Sequence, residues 1–225
     1  MTKIAFIADF FANQVPGGGE LNNEVVISKL SKKHQVLKIN CHQLDNLKEC
    51  KADKFIVSNF VNLKESVKNE LISNKNYVIY EHDHKYLRSR NPASYKNFLA
   101  PKSEIINEEF YKTARFVFAQ SLFHKEIICK NLQLKNVINL SGNMWDASNK
   151  EFFISLSKVS KIDRSAIMVT NNEHKNTLGS INYCKTNNLQ YELIPPLTNK
   201  KFLDKLSKNK QLVFLPKTPE TLSRI

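Results

Sequence analysis

Lys3-Ile4-Ala5-Phe6-Ile7-Ala8, followed at a short distance by Pro16-Gly17-Gly18-Gly19-Glu20, is the stretch that decides the fold. The first run is short, apolar and without polar alternation, which suits a strand buried on both faces. A loop over residues 9–19 follows. The spacing of Leu21, Val25, Val26 and Leu30 then predicts a helix over about residues 20–33. Outward from this unit the pattern repeats. Strands are expected at 35–39, 54–58, 76–80, 115–119 and 136–140, with helices at 65–73 and 121–131. Alternation of this kind means parallel strands joined by helical crossovers, a doubly wound α/β sheet.

A second series opens after a polar link and a poorly periodic stretch over 141–161. Strands are expected at 165–170, 190–194 and 211–215, with helices at 177–187 and 200–207. Residues 1–145 therefore read as a Rossmann-like domain, a parallel sheet with helices on both faces. Residues 146–225 read as part of a second, incomplete Rossmann-like domain, since three strands and two crossovers are about half of one. The chain is expected to be a piece of a longer product, because the last strand and helix start call for more cover.

Composition narrows the classes. A chain of 225 residues with 41% hydrophobic and 24% charged residues is long and apolar enough for its own core, which argues against disorder. No apolar run reaches ~18 residues, so no membrane-spanning helix is expected. The N-terminus lacks the pattern of a secretory signal, and a cytoplasmic protein is expected. Cys41, Cys50, Cys129 and Cys184 show no Cys-x-x-Cys pair, so neither a disulfide nor a metal is assigned, in keeping with a reducing compartment. The net charge of +13 attracts anions. Nearly all of it is scattered Lys rather than clustered Arg, so specific nucleic-acid recognition is not expected.

Four motifs carry chemistry. Gly17, Gly18, Gly19 and Glu20 stand between the first strand and first helix, where glycine permits close approach and positive φ, and a helix N-terminus offers free N–H groups to phosphate. No Gly-Lys-Ser/Thr follows, so this is not a P-loop. The plainer reading is a flexible turn before a helix. Glu81-His82-Asp83-His84 follows a strand directly, where His82 or His84 could serve as general base or bind a sugar or phosphate oxygen. The alternation of the two histidines also permits a metal, but no third ligand is evident. The plainer reading is a solvated loop. Lys175 stands just ahead of a helix start, a place to neutralise a diphosphate, though Lys is common throughout. Pro219 and Glu220 suit the first turn of a further helix, and the Glu220 carboxylate could accept hydrogen bonds from sugar hydroxyls.

Together these features resemble the GT-B glycosyltransferases of family 4, the retaining group also called group 1. The resemblance rests on the Gly17-Gly18-Gly19-Glu20 loop, on Phe118-Ala119-Gln120-Ser121-Leu122-Phe123-His124-Lys125 as strand-Ser-x-x-x-Lys entry to a helix, and on Val137-Ile138-Asn139-Leu140 before the link. It extends to Lys175 and to Phe214-Leu215-Pro216 followed by Pro219-Glu220. The resemblance implies metal- and cofactor-independent transfer of a sugar from a nucleotide-sugar to a glycan or lipid-linked acceptor. It places Gly18 and Gly19 near donor phosphate, His82 or His84 near the transferred sugar, Lys175 on the diphosphate and Glu220 on the donor sugar. Asn171-Asn172 stands where the family usually has an Arg, and the second Glu of the family's pair would fall beyond Ile225. The chain alone is therefore expected to lack turnover. The alternative is a non-catalytic module that binds nucleotides or polyanions. Lys-rich patches such as Lys200-Lys201 would also suit the anionic inner face of a membrane, and self-association to cover an unfinished sheet is a further expectation.

Overall fold

The computed structural model describes residues Met1–Pro219; Glu220 and the residues after it lie outside the described part. The chain forms two compact units, residues 1–144 and 145–219. Unit 1 holds six strands: β1 (Lys3–Ala8), β2 (Gln35–Asn40), β3 (Lys54–Val57), β4 (Tyr77–Tyr80), β5 (Val117–Ala119) and β6 (Val137–Asn139). All pair in parallel, in the order β2-β1-β3-β4-β5-β6. The expected Rossmann-like α/β sheet is present.

The helices of this unit are α1 (Gly18–Leu30), α2 (Glu65–Asn74), α3 (Glu108–Thr113) and α4 (Leu122–Leu132). They lie on both faces. Alternate strand residues Ala5, Ile7, Phe55, Val57, Tyr77, Ile79, Val117 and Ala119 point into the larger core. There they meet Val67 and Leu71 of α2, Phe110 and Tyr111 of α3, and Ile128 and Leu132 of α4. The other face is served by α1, whose Val26 and Ile27 pack with Phe6, Ala8, Phe11 and Tyr80. Period-two alternation in the strands thus sorts the apolar side chains between two helical layers.

Unit 2 contains α5 (Ala147–Ser157), β7 (Ile162–Met168), α6 (Thr177–Thr186), β8 (Tyr191–Ile194), α7 (Asn199–Ser207) and β9 (Asn209–Leu212). Its three strands are parallel, in the order β8-β7-β9. Ile167, Cys184 and Val213 form its small buried cluster with Ile181, Leu189 and Tyr191. The poorly periodic stretch, to which the sequence assigns no element, holds the helix α5. Asp146 caps it by accepting from the Asn149 N–H at 2.8 Å, while only Leu156 of its residues is buried, so no clean apolar stripe marks it in the sequence. No helix among the described residues is long and apolar enough to cross a membrane.

Candidate functional site

Reversal of strand order between β1 and β3 opens a crevice at the C-terminal ends of the unit 1 strands. The two loops that border it are tied together by Asp9, the first residue after β1. Its backbone N–H donates to Asn59 O at 2.6 Å, and its buried carboxylate accepts from the Val61 and Asn62 N–H groups at 2.8 and 2.9 Å.

Above this junction α1 begins. Gly17 is its N-cap in extended backbone (φ −81°, ψ 164°) and offers no side chain to cap the helix. The helix starts at Gly18, earlier than the apolar spacing indicated, so Gly18 and Gly19 belong to its first turn. The expected positive φ is not found at any described glycine. Close approach is what Gly19 provides: a Cβ there would stand 3.2 Å from the His82 ring and 3.4 Å from Asn59 Nδ2. Glu20, also in the first turn, accepts from Asn59 Nδ2 at 2.6 Å. The crevice thus combines first-turn backbone donors, which no cap side chain takes, with one carboxylate acceptor held in place.

His82 reaches this helix start from the end of β4. Gln120, the first residue after β5, donates its amide N–H to His82 Nδ1. The remaining ring nitrogen, Nε2, therefore carries the proton and donates to Asn23 Oδ1 at 2.7 Å. Asn23 Oδ1 also accepts from the Ser58 hydroxyl at 2.9 Å. The imidazole is held in place between two neutral amides.

The neighbouring residues turn inward. His84 is buried, its Nδ1 3.1 Å from the Tyr86 hydroxyl and its ring 5.0 Å from that of His124. Burial lowers the His84 pKa to about 4, and burial together with His84 holds His124 well below the ordinary histidine value. The structure therefore separates His82, which borders the crevice, from His84, which lies in the core. Asn23 Nδ2, His84 Nε2 and His124 Nε2 are buried without a hydrogen-bond partner.

Below the loop lies an ion network. Glu81, fully buried, accepts from Lys85 Nζ at 3.0 Å, from the Asp83 N–H at 3.0 Å and from the Tyr111 hydroxyl. Lys85 also reaches Asp83 at 2.5 Å, and Arg90 approaches the other Asp83 oxygen at 3.4 Å. Burial raises the Glu81 pKa against the opposing pull of Lys85. Burial works against the Lys85 charge too, but Asp83 and Glu81 outweigh it and hold the ammonium above its usual range. For Asp83 the cost of burial is outweighed by Lys85 and Arg90, and its carboxyl falls to about 2. These groups brace the loop that carries His82.

Lys175 belongs to unit 2. It closes a short turn after β7, two residues before α6, with its ammonium 5.4 Å from the centre of the Phe214 ring. Glu220 lies outside the described residues. No cluster of three or more metal-ligating side chains occurs among the described residues.

Asp9, Asn23, Asn59, Lys85 and Gln120 complete the arrangement and were not expected from the sequence. Asp9 and Gln120 directly follow strands, the position where parallel sheets place ligand contacts, and that signal could have found them. Lys85 stands four residues after Glu81, but the intervening backbone is not helical, so the spacing alone did not pair them. Asn23 carries no signal in a chain rich in Asn. No protein-family model matches the chain, and no curated protein matches it.

Proposed function

We propose that the chain handles a nucleotide-sugar and belongs to a GT-B-type glycosyltransferase of family 4, acting on a glycan or lipid-linked acceptor. The observation that carries this reading is the uncapped glycine start of α1 at the β1/β3 crevice, with the His82 ring held against Gly19. First-turn N–H groups suit phosphate oxygens. The Glu20 carboxylate, positioned by Asn59, suits sugar hydroxyls, and His82 is held beside it by Gln120 and Asn23. The resemblance adds Lys175 and Glu220 as donor-side contacts. A basic chain of +13 would also be drawn to an anionic membrane that presents a lipid-linked acceptor.

The test is thermal-shift screening against UDP-, GDP- and ADP-linked sugars, the matching diphosphates and short oligonucleotides. Selective stabilisation by one nucleotide-sugar, lost in Gly19→Val, supports the reading. Indifference to every nucleotide-sugar overturns it. Steeply salt-dependent oligonucleotide binding would favour the non-catalytic polyanion module instead.

A further inference from the structure

The sheet of unit 1 distributes its crossovers unevenly. In the order β2-β1-β3-β4-β5-β6, only the β1-to-β2 connection steps one way; the other four step the opposite way. Right-handed crossovers therefore place α1 on one face and every other connection on the other. Six strands spaced about 4.8 Å apart make a sheet roughly 24 Å wide, and one helix about 10 Å across covers less than half of it. Parallel sheets are ordinarily buried on both faces.

The exposure follows this rule. On the α1 face, Phe116 at the entry to β5 is 40% exposed and Ile138 of β6 is 38% exposed. An apolar groove of about 250 Å³ runs there, floored by Ile4, Ile56, Val78 and Phe116. Among the described residues, Lys54 and Arg115 are the charged ones that line it. Lys54 donates to the neutral Asn76 side chain at 3.2 Å, and the nearby Asp53 carboxylate accepts from the Lys3 backbone N–H at 2.8 Å.

We propose that the open half of this face docks an amphipathic α-helix of a partner protein, with acidic residues in its last turn. A helix laid antiparallel to the strands, as crossover helices are, puts its C-terminus at their N-terminal edge. Lys54 and Arg115 stand at that edge, where they meet both the negative end of the helix dipole and its carboxylates. A second copy of this chain would set the same two cations against each other.

The full chain is titrated into a fluorescent designed peptide of about four helical turns, with a leucine stripe and glutamates in its last turn. A twin peptide carries lysines there. The glutamate peptide is expected to bind at least roughly tenfold tighter, read by anisotropy, with the preference reversed in the Lys54→Glu/Arg115→Glu variant. Phe116→Asp, at an exposed position, is expected to abolish both and leave the melting curve in place. No binding, or equal binding of both peptides, overturns the proposal. Two further results also overturn it: sedimentation with phosphatidylglycerol/phosphatidylcholine vesicles that the double variant loses, and a self-dimer that Phe116→Asp dissociates.

Discussion

Two helix starts in this molecule occupy equivalent places and are built in opposite ways. Both α1 and α6 follow the strand at which the order of a parallel sheet reverses. At α6 the start is closed: Asn176, in left-handed backbone at φ 52°, accepts the Gly179 N–H at 3.2 Å, and a Cβ on Gly179 would strike the Asn176 amide. At α1 the cap is a glycine with no side chain, and the space beside Gly19 is filled by His82 from the loop after β4. A capped start satisfies its own donors; an uncapped start leaves them for a ligand. The surroundings differ in the same sense. Behind α1 stand the buried ions Glu81 and Lys85, whereas the polar network of unit 2, Arg164 with Glu192 and Asn209, is partly exposed. Precision is concentrated where the donors are open.

The sharpest way to break this contrast is to remove one ion from each network. Lys85→Met strands the buried Glu81 carboxyl and is expected to cost about 3–5 kcal/mol, read by urea denaturation. Arg164→Met exposes Glu192 to water and is expected to cost about 1 kcal/mol or less, because that pair is 28% and 22% exposed. Adding Glu81→Gln to Lys85→Met is expected to recover part of the loss. Equal costs in the two units would remove the distinction between a braced and an unbraced edge.

Acid separates the units next. His84 has a folded pKa of about 4 against an ordinary value of 6.5. Between those values the unfolded chain takes up a proton that the folded chain refuses, so stability falls as pH drops through this window. The loss at its lower end is roughly 3 kcal/mol from His84, with His124 adding in the same direction. Asp83 acts lower down: between about 4 and about 2 the unfolded chain takes up a proton that the folded Asp83 carboxylate refuses, so its contribution is lost across that window. Unit 2 has no buried histidine among the described residues, so no counterpart of the His84 loss is expected there. Hydrogen exchange followed at pH 7 and at about pH 4.5 checks both statements; His84→Asn is expected to flatten the unit 1 response.

The alternation of apolar runs with helical spacing made the parallel sheet of unit 1 legible, because strands buried on both faces cannot carry polar alternation. The same logic missed α5, whose cap is local and whose burial is slight. Of the candidate site, the positions after strands were legible and the orientations were not. His82 and His84 are two residues apart in one loop, yet one borders the crevice and the other is buried. The strand ends at Tyr80, and beyond it direction is set by Gln120, Asn23 and Tyr86, partners distant in sequence or reached by a bent backbone. What Gly19 provides is room for the His82 ring, and the conformational freedom credited to the glycines is unused, since a helix begins within the run.

The smallest stability effects probe the two caps directly. Asn176→Ala removes the α6 cap and puts a Cβ-bearing residue without local hydrogen bonding into left-handed backbone, at an expected cost of about 1–2 kcal/mol. Gly17→Asn makes the opposite change at α1. Asparagine exceeds glycine as an N-cap by only a few tenths of a kcal/mol, so the melting temperature is expected to move little. A Cβ at Gly17 would stand 2.3 Å from Glu20 Oε2, so the Glu20 carboxylate must swing away, and the new amide would take first-turn N–H groups. If those donors and that carboxylate hold a nucleotide-sugar, calorimetry should show its affinity falling at least roughly tenfold in a protein of unchanged stability. An unchanged affinity would mean that the open helix start is a feature of packing against His82 alone, and the contrast between the two starts would carry no functional meaning.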